Sequence, residues 1–261
     1  MKPKTILITG STDGIGLETA RMLAADGHQV LLHGRNPDKL KAAAQELSAE
    51  TFRADLSSLA ETKSLAAAVA AKHPHLDVLI NNAGVFLKSE TKTPEGLGLT
   101  FAVNTIAPYL LTKSLLPLFN SSGRIINLSS AAQTSVDLSC LTADHLISGN
   151  EAYAQSKLAL TMWSKYLADQ LAESGPLVIA VNPKSFLGTK MVKEAYGMAG
   201  SDLSEGARIL VRAALSDEFA NANGLYFDND HGAFASPHPD AKNPTLNAEL
   251  VTAIEELLPS S

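Results

Sequence analysis

Thr9-Gly10-Ser11-Thr12-Asp13-Gly14-Ile15-Gly16 follows the apolar run Thr5-Ile6-Leu7-Ile8 and precedes a helical pattern. Strand, glycine turn, helix is the context in which a glycine loop signals phosphate binding. Glycine lets the backbone turn sharply and approach a ligand with no Cβ in the way. The helix that follows offers unpaired N–H groups and the positive end of its dipole to an anion. The spacing is G-x3-G-x-G, not G-x-G-x-x-G, and the loop lacks the lysine-hydroxyl ending of a nucleoside-triphosphate site. A second reading stays open here: a turn whose glycines only pack strand on helix.

Outward from the loop, short apolar runs alternate with helical patterns. Strands are expected at 4–9, 28–33, 52–54, 77–81, 124–128, 177–181 and 224–227. Helices are expected at 15–26, from Pro37 to about 47, from the capping-box pattern Ser58-x-x-Glu61 to about 72, at 97–116 in one or two pieces, at 151–173, at 203–215 with Ser204 as its cap, and at 244–258. The connection 129–150 and the segment 184–202 read as irregular. This alternation predicts one α/β domain over 1–261: a doubly wound parallel sheet of about seven strands with helices on both faces. Ligands of such sheets bind at the carboxyl ends of the strands. The polar residues after those strands, Gly10, Arg35, Asp55, Asn82, Ser130 and Pro183, are therefore candidates for one shared site.

Composition narrows the class. The chain has 261 residues, 45% hydrophobic and 18% charged, with net charge −6 and no long basic run. That fits a globular enzyme and argues against nucleic acid as a partner. One cysteine, Cys140, cannot form an internal disulfide, and no signal-length or membrane-length apolar span is present. A cytoplasmic protein with no membrane partner is expected. His33, His145, His231 and His238 show no metal-ligand spacing, so no metal is expected and each reads as structural.

Tyr153 and Lys157 stand at i and i+4 on one helical face. A free tyrosine ionises near ~10, too high for proton transfer at neutral pH. An adjacent ammonium favours the phenolate, and an acid or base works best with a pKa near the working pH. Alone, the pair reads more readily as a common surface pairing than as a catalytic one. Likewise the serines of Asn127-Leu128-Ser129-Ser130 read as a turn, and Asn82 and Gly84 as a tight bend after a strand.

Taken together, in order and on these elements, the motifs resemble the short-chain dehydrogenase/reductase family. They are Thr9-Gly10-x3-Gly14-x-Gly16, Asn81-Asn82-Ala83-Gly84, Asn104, Ser130 and Tyr153-x3-Lys157, and the resemblance covers roughly residues 4–190. Phe101-Ala102-Val103-Asn104 and the long gap from Ser130 to Tyr153 look most like its retinol-dehydrogenase-like branch. The resemblance implies a Rossmann-type fold and hydride transfer between a nicotinamide and a carbonyl or alcohol substrate. Tyr153 would be the general acid or base and Lys157 would lower its pKa and hold the ribose. Ser130 would fix the substrate oxygen, and Asn104 would order a relaying water. Gly10, Ser11, Thr12, Asp13, Gly14, Ile15 and Gly16 would hold the diphosphate. Asn82, Ala83, Gly84, Pro183 and Thr189 would line the channel, with Asp55 and Leu56 beside the adenine. Asp55 reads equally as a helix cap.

Where the family's NAD users carry an acid after strand two, this chain has Gly34-Arg35-Asn36. A guanidinium suits a phosphate, so NADP(H) is expected over NAD(H), although the loop itself holds Asp13 and no cation. Two departures stand out. Lys184 occupies the usual glycine after Pro183, leaving open whether it faces solvent or the cofactor phosphates, and Thr189 lies one residue late. The segment 184–202, with Phe186, Leu187, Met191, Val192, Tyr196 and Met198, is expected to cover the pocket, with the loop carrying Val136, Leu138, Cys140, Leu141 and Leu146 as another wall; both are apolar, which suggests an apolar or aromatic carbonyl substrate. Both read equally as core packing. A homodimer or homotetramer through the helices at 97–116 and 151–173 is implied, with a monomer left open. The other reading is a catalytically idle nucleotide-binding regulatory protein on the same fold.

Overall fold

Strands of this chain are buried on both faces, and their side chains alternate between two helix layers. In β1 (Thr5–Ile8), Ile6 and Ile8 pack with one layer and Leu7 with the other. The computed structural model describes residues 2–89, 91–142, 144–145, 147–171, 174–197 and 199–258, without the side chains of 194–196. The remaining elements are α1 (Gly14–Ala25), β2 (Gln29–Gly34), α2 (Pro37–Leu47), β3 (Glu50–Arg53), α3 (Leu59–Lys72) and β4 (Val78–Asn81). Then come α4 (Leu99–Phe101), α5 (Ala107–Leu115), β5 (Arg124–Leu128), α6 (Gly149–Leu171) and β6 (Leu177–Asn182). The chain ends with α7 (Lys190–Tyr196), α8 (Leu203–Leu215), β7 (Tyr226–Asp228), β8 (Ala233–Ala235) and α9 (Pro244–Leu257).

The sheet order is β3-β2-β1-β4-β5-β6-β7-β8, and every pairing is parallel except β7 with β8. β1 pairs with both β2 and β4, so the strand order reverses there. Such a reversal opens a crevice at the carboxyl ends of the strands. One face of the sheet packs on α1, α2 and α8, through Leu23, Leu40 and Leu210. The other packs on α3 and α5, through Leu65, Val69 and Leu111.

Several expected boundaries move for local reasons. Strand three ends at Arg53, because the Ala54 carbonyl accepts from the His33 ring and leaves the ladder. The start of α8 is capped by Asp202 and not by Ser204, whose N–H is the group that the cap receives. Ser58 does cap α3, but the Glu61 carboxylate accepts from Asp55 N at 2.7 Å, so the capping box is not closed. The last expected strand starts two residues later, since Gly224 turns the chain at φ +71°. An eighth strand, β8, was not foreseen. Three residues are too few to show alternation, and β8 forms by pairing back on β7. The expected end of the sixth helix at 173 lies outside the described residues.

The expected long helix at 97–116 is interrupted by a π-turn, Ala102–Ile106, with Asn104 at its centre. Such turns concentrate at functional sites. The helices expected to pair between copies are partly covered within the chain. Leu250, Val251 and Ile254 of α9 pack with Tyr109, Leu160 and Trp163 of α5 and α6. Tyr109 donates to Glu255, and Lys113 Nζ meets the same carboxylate at 2.5 Å. No described helix is long and apolar enough to cross a membrane.

Candidate active site at the carboxyl ends of the strands

The glycine loop owes its shape to hydrogen bonds from neighbouring strands. Asn82 Nδ2 donates to the carbonyls of Thr9 at 2.8 Å and Gly10 at 3.1 Å. Thr9 Oγ1 accepts from the N–H groups of Asn82 and Ala83, both at 3.0 Å. Gly10 has φ +64°, and a Cβ there would meet Ala83 Cα at 2.9 Å. A Cβ on Gly16 would come within 2.4 Å of Asn82 Nδ2 and of the Gly10 carbonyl oxygen. The outer two glycines therefore pack strand on helix, as the second reading held. Gly14 differs: the nearest atom to a Cβ there is Thr189 Cγ2 at 3.9 Å, which leaves the α1 N-terminus open. The packing reading thus holds for Gly10 and Gly16, while Gly14 leaves the helix N-terminus accessible.

His33 sits beneath this loop, and no local pattern in the chain signals its reach. It is 3% exposed. Its Nδ1 accepts from Gly10 N at 3.1 Å, and its Nε2 donates to the Ala54 carbonyl at 3.1 Å. Its backbone N–H donates to Ser11 Oγ, and its carbonyl accepts from Ser11 N. One neutral imidazole thus ties the phosphate loop to the wall at 54–56. Burial pushes its pKa down to about 4, against the pull of the Ala54 carbonyl and Asp55. Because the folded value is depressed, the stability it brings is present above about 6.5 and is lost as pH falls towards 4. Protonation would set an N–H against the Gly10 N–H. His33→Phe, which leaves that donor without a partner, should destabilise the fold by about 1–3 kcal/mol in urea unfolding. His33→Asn, whose Oδ1 can take the place of Nδ1, should recover much of this loss. It should also flatten the acid side of the stability profile.

A cleft of about 600 Å³ runs over the carboxyl ends of these strands. It gathers nearly all the residues singled out from the sequence. Gly10, Thr12, Asp13, Gly14, Ile15 and Gly16 line one end, with Arg35, Asp55 and Leu56 beside them. Asn82, Ala83 and Gly84 line the middle, Ser130, Tyr153, Lys157 and Pro183 the far end, and Thr189 lines the cleft opposite Gly14. Three others do not line it. Ser11 is buried beneath the loop, Asn36 caps α2, and Asn104 lies behind the wall. The Asn104 side chain is committed: Oδ1 accepts from Val85 N at 2.8 Å, and Nδ2 donates to Val85 O and Ser156 Oγ.

At the far end, α6 places Tyr153 and Lys157 on the cleft side. Lys157 is 5% exposed, and its Nζ donates to the Leu128 carbonyl at 2.7 Å and lies 5.7 Å from the Tyr153 ring centre. Burial lowers its pKa to about 8. A Cβ on Gly84 would lie 3.5 Å from that Nζ, in ordinary contact with it. Phe86 packs edge-on to Tyr153 at 5.6 Å between ring centres. The Ser130 carbonyl accepts from Tyr226 and Gln133, which fixes the serine at the cleft wall.

Beside the glycine loop, Arg35 is 71% exposed, with one guanidinium nitrogen 4.0 Å from Asp55. Burial works against the Asp55 charge, but hydrogen bonds from Ser57 and the Arg35 charge outweigh it and hold its pKa low. The cation that the loop lacks in sequence arrives from α2. Lys39 Nζ meets Asp13 at 2.5 Å and lines the same cleft. Its hydrogen bond is the main cause that lowers the Asp13 pKa. The signal available was its place one turn after Arg35, at the start of a helix. Thr189, in doubt from spacing, caps α7 and lines the cleft opposite Gly14. Tyr196, Met198 and Leu146, named as pocket walls, lie outside the described side chains.

On the loop before α6, Asp137, Cys140 and His145 each bring a donor atom within 4.8 Å of the other two, a proximity that spacing did not suggest. Burial and then the Asp137 charge push the Cys140 thiol up, which disfavours the thiolate a metal would need.

The sequence model of short chain dehydrogenases matches residues 4–199. The chain belongs to the short-chain dehydrogenase/reductase family and is an oxidoreductase of that family, whose members use NAD(P)(H) and act on small molecules. Within it the chain falls in the retinol-dehydrogenase-like branch. It is 33% identical to human retinol dehydrogenase 13, over 86% of this chain and 76% of that one. It is 32% identical to human polyprenol dehydrogenase, over 87% and 77%. A solved protein from Mycobacterium paratuberculosis superposes with TM-score 0.83 at 27% identity, over 98% of this chain and 95% of that one. A short chain dehydrogenase from Escherichia coli, solved with NADPH, has TM-score 0.70 at 26% identity, over 87% and 96%.

Proposed function

We propose that the chain is an NADP(H)-dependent carbonyl reductase or alcohol dehydrogenase acting on small apolar substrates. The observation that carries this is the Tyr153–Lys157 pair: a buried ammonium beside a tyrosine on the wall of a cleft that begins at the glycine loop. The cleft fits a dinucleotide, with the open α1 N-terminus for the diphosphate and Arg35 with Lys39 for a 2′-phosphate. When bound, the nicotinamide supplies or accepts the hydride.

The residues of the chain do the rest. Tyr153 gives its phenolic proton to the carbonyl oxygen in reduction and takes one from the alcohol in oxidation. Lys157, held by the Leu128 carbonyl, stabilises the phenolate that forms. Ser130 holds the substrate oxygen beside Tyr153. Because the Asn104 side chain is committed to Val85 and Ser156, its part is to hold the 85–86 segment against α6, and with it Phe86 on Tyr153. Phe86, Leu87, Phe186, Met191 and Val192 line the substrate end and favour an apolar body. The retinol and polyprenol dehydrogenase relatives, named for apolar alcohols, point the same way.

The test is a panel of aliphatic, aromatic and isoprenoid aldehydes, ketones and alcohols, read by NADPH or NADP consumption. Turnover of the apolar members is expected. Silence across the panel, with cofactor binding confirmed, would favour an idle binding protein and overturn the proposal.

A further inference from the structure

Lys184 is a lysine in a backbone shape that favours glycine. Its φ is +118°, in the region where a Cβ is strained. Such strain persists only where the surroundings impose it. Here they do, on both sides of the residue. Asn182 is held by Asp228 and Asp230 at 2.8 Å each, and its Oδ1 accepts from Lys184 N. The Pro183 carbonyl accepts from Asn229, while Ser185 donates twice to Asp230. The bend is fixed by the end of β7, and glycine would fill it at lower cost.

The side chain does not run free into solvent. Its ammonium pairs with Glu205 in the first turn of α8, and the two side chains are about one-third exposed. The next residue, Gly206, is pressed against the glycine loop: a Cβ there would lie 3.4 Å from Ile15 Cδ1 and 2.5 Å from Leu187 Cδ1. Lys184 lines the same cleft as Gly14 and Ile15. Asp13, at that same end, is already committed to Gly14 N and Lys39.

We infer that Lys184, held extended by Glu205, is a binding residue for the diphosphate of the dinucleotide. The inference rests on the dinucleotide reading of the cleft, but not on any turnover. A second cation beside a helix N-terminus strengthens an anion site by charge and by added N–H donors. The diphosphate is common to both cofactors, whereas Arg35 and Lys39 address only the 2′-phosphate. Lys184 thus raises affinity without choosing between NADPH and NADH.

The test is equilibrium binding by nucleotide fluorescence and calorimetry, with NADPH, NADH and 2′-AMP as probes. Lys184→Met keeps the stem and the bend but removes the charge. It should weaken NADPH and NADH by the same factor, about tenfold or more, and leave 2′-AMP unchanged. Lys184→Gly should weaken both dinucleotides equally while raising Tm, since the bend is relieved. It also serves as the readout should the methionine variant fold poorly. Dinucleotide dissociation constants within twofold of wild type in the glycine variant would overturn the inference, as would weakening confined to NADPH and 2′-AMP. Unaltered binding with normal turnover would leave the proposed activity standing. Altered binding with no turnover in the wild type would support Lys184 and overturn the activity.

Discussion

Tyr153→Phe is expected to reduce turnover by about 10²–10⁴-fold, the usual worth of a positioned general acid, with the Kd for NADPH nearly unchanged. The ring stays, so its edge contact with Phe86 and its place near Lys157 survive. Only the proton-bearing oxygen is lost. The effect should therefore fall on kcat and not on cofactor affinity. Single-turnover measurements with saturating NADPH check this directly. Turnover within a few-fold of wild type would remove Tyr153 from the role of acid. Lys157 links the site to pH as well. Its burial lowers its pKa to about 8, so the ammonium beside Tyr153 is lost as pH rises through that value.

The second large effect is on cofactor choice. Arg35→Ala should raise KM for NADPH roughly tenfold while changing KM for NADH little. A hydrogen-bonded ion pair can be worth more, but Arg35 is 71% exposed, and solvent screens an exposed pair. Arg35 also lies 4.0 Å from Asp55, so removing it leaves an acid at that end of the cleft without its neighbouring charge. That acid would repel a 2′-phosphate and tolerate two hydroxyls, which adds to the shift. Lys39→Ala should move the ratio in the same direction by less, since Lys39 is already paired with Asp13. Equal changes for both cofactors on Arg35→Ala would sink the argument for NADP(H).

The fold and much of the candidate site were legible in sequence because their signals are local. Apolar runs between helical patterns dictate the alternating order, and Thr9–Gly16, Asn81–Gly84 and Tyr153-x3-Lys157 are each contained in a single turn or helix start. Five such motifs in order fixed the arrangement, and the cleft brings together all but Ser11, Asn36 and Asn104. Those three were legible as types but not as lining residues, because a side chain that faces the loop from below has the same sequence signature as one that faces the ligand. The π-turn at Ala102–Ile106 was not legible, since one extra residue in a helical turn leaves the apolar pattern nearly intact.

Tertiary structure decided what joins residues far apart in the chain. His33 reaches Gly10 and Ala54 because β2 lies between β1 and β3. Lys39 meets Asp13 because α2 starts beside the loop. Lys184 meets Glu205 because α8 packs on α1, and α9 covers α5 and α6 through residues 146 positions apart at Tyr109 and Glu255. Sequence alone thus determined the class of fold, the glycine loop between strand and helix and the tyrosine-lysine pair, since backbone periodicity and short spacing carry that information. It could not determine which charges converge on the glycine loop, because ion pairs and buried hydrogen bonds follow the stacking of strands and helices, and no local pattern encodes it.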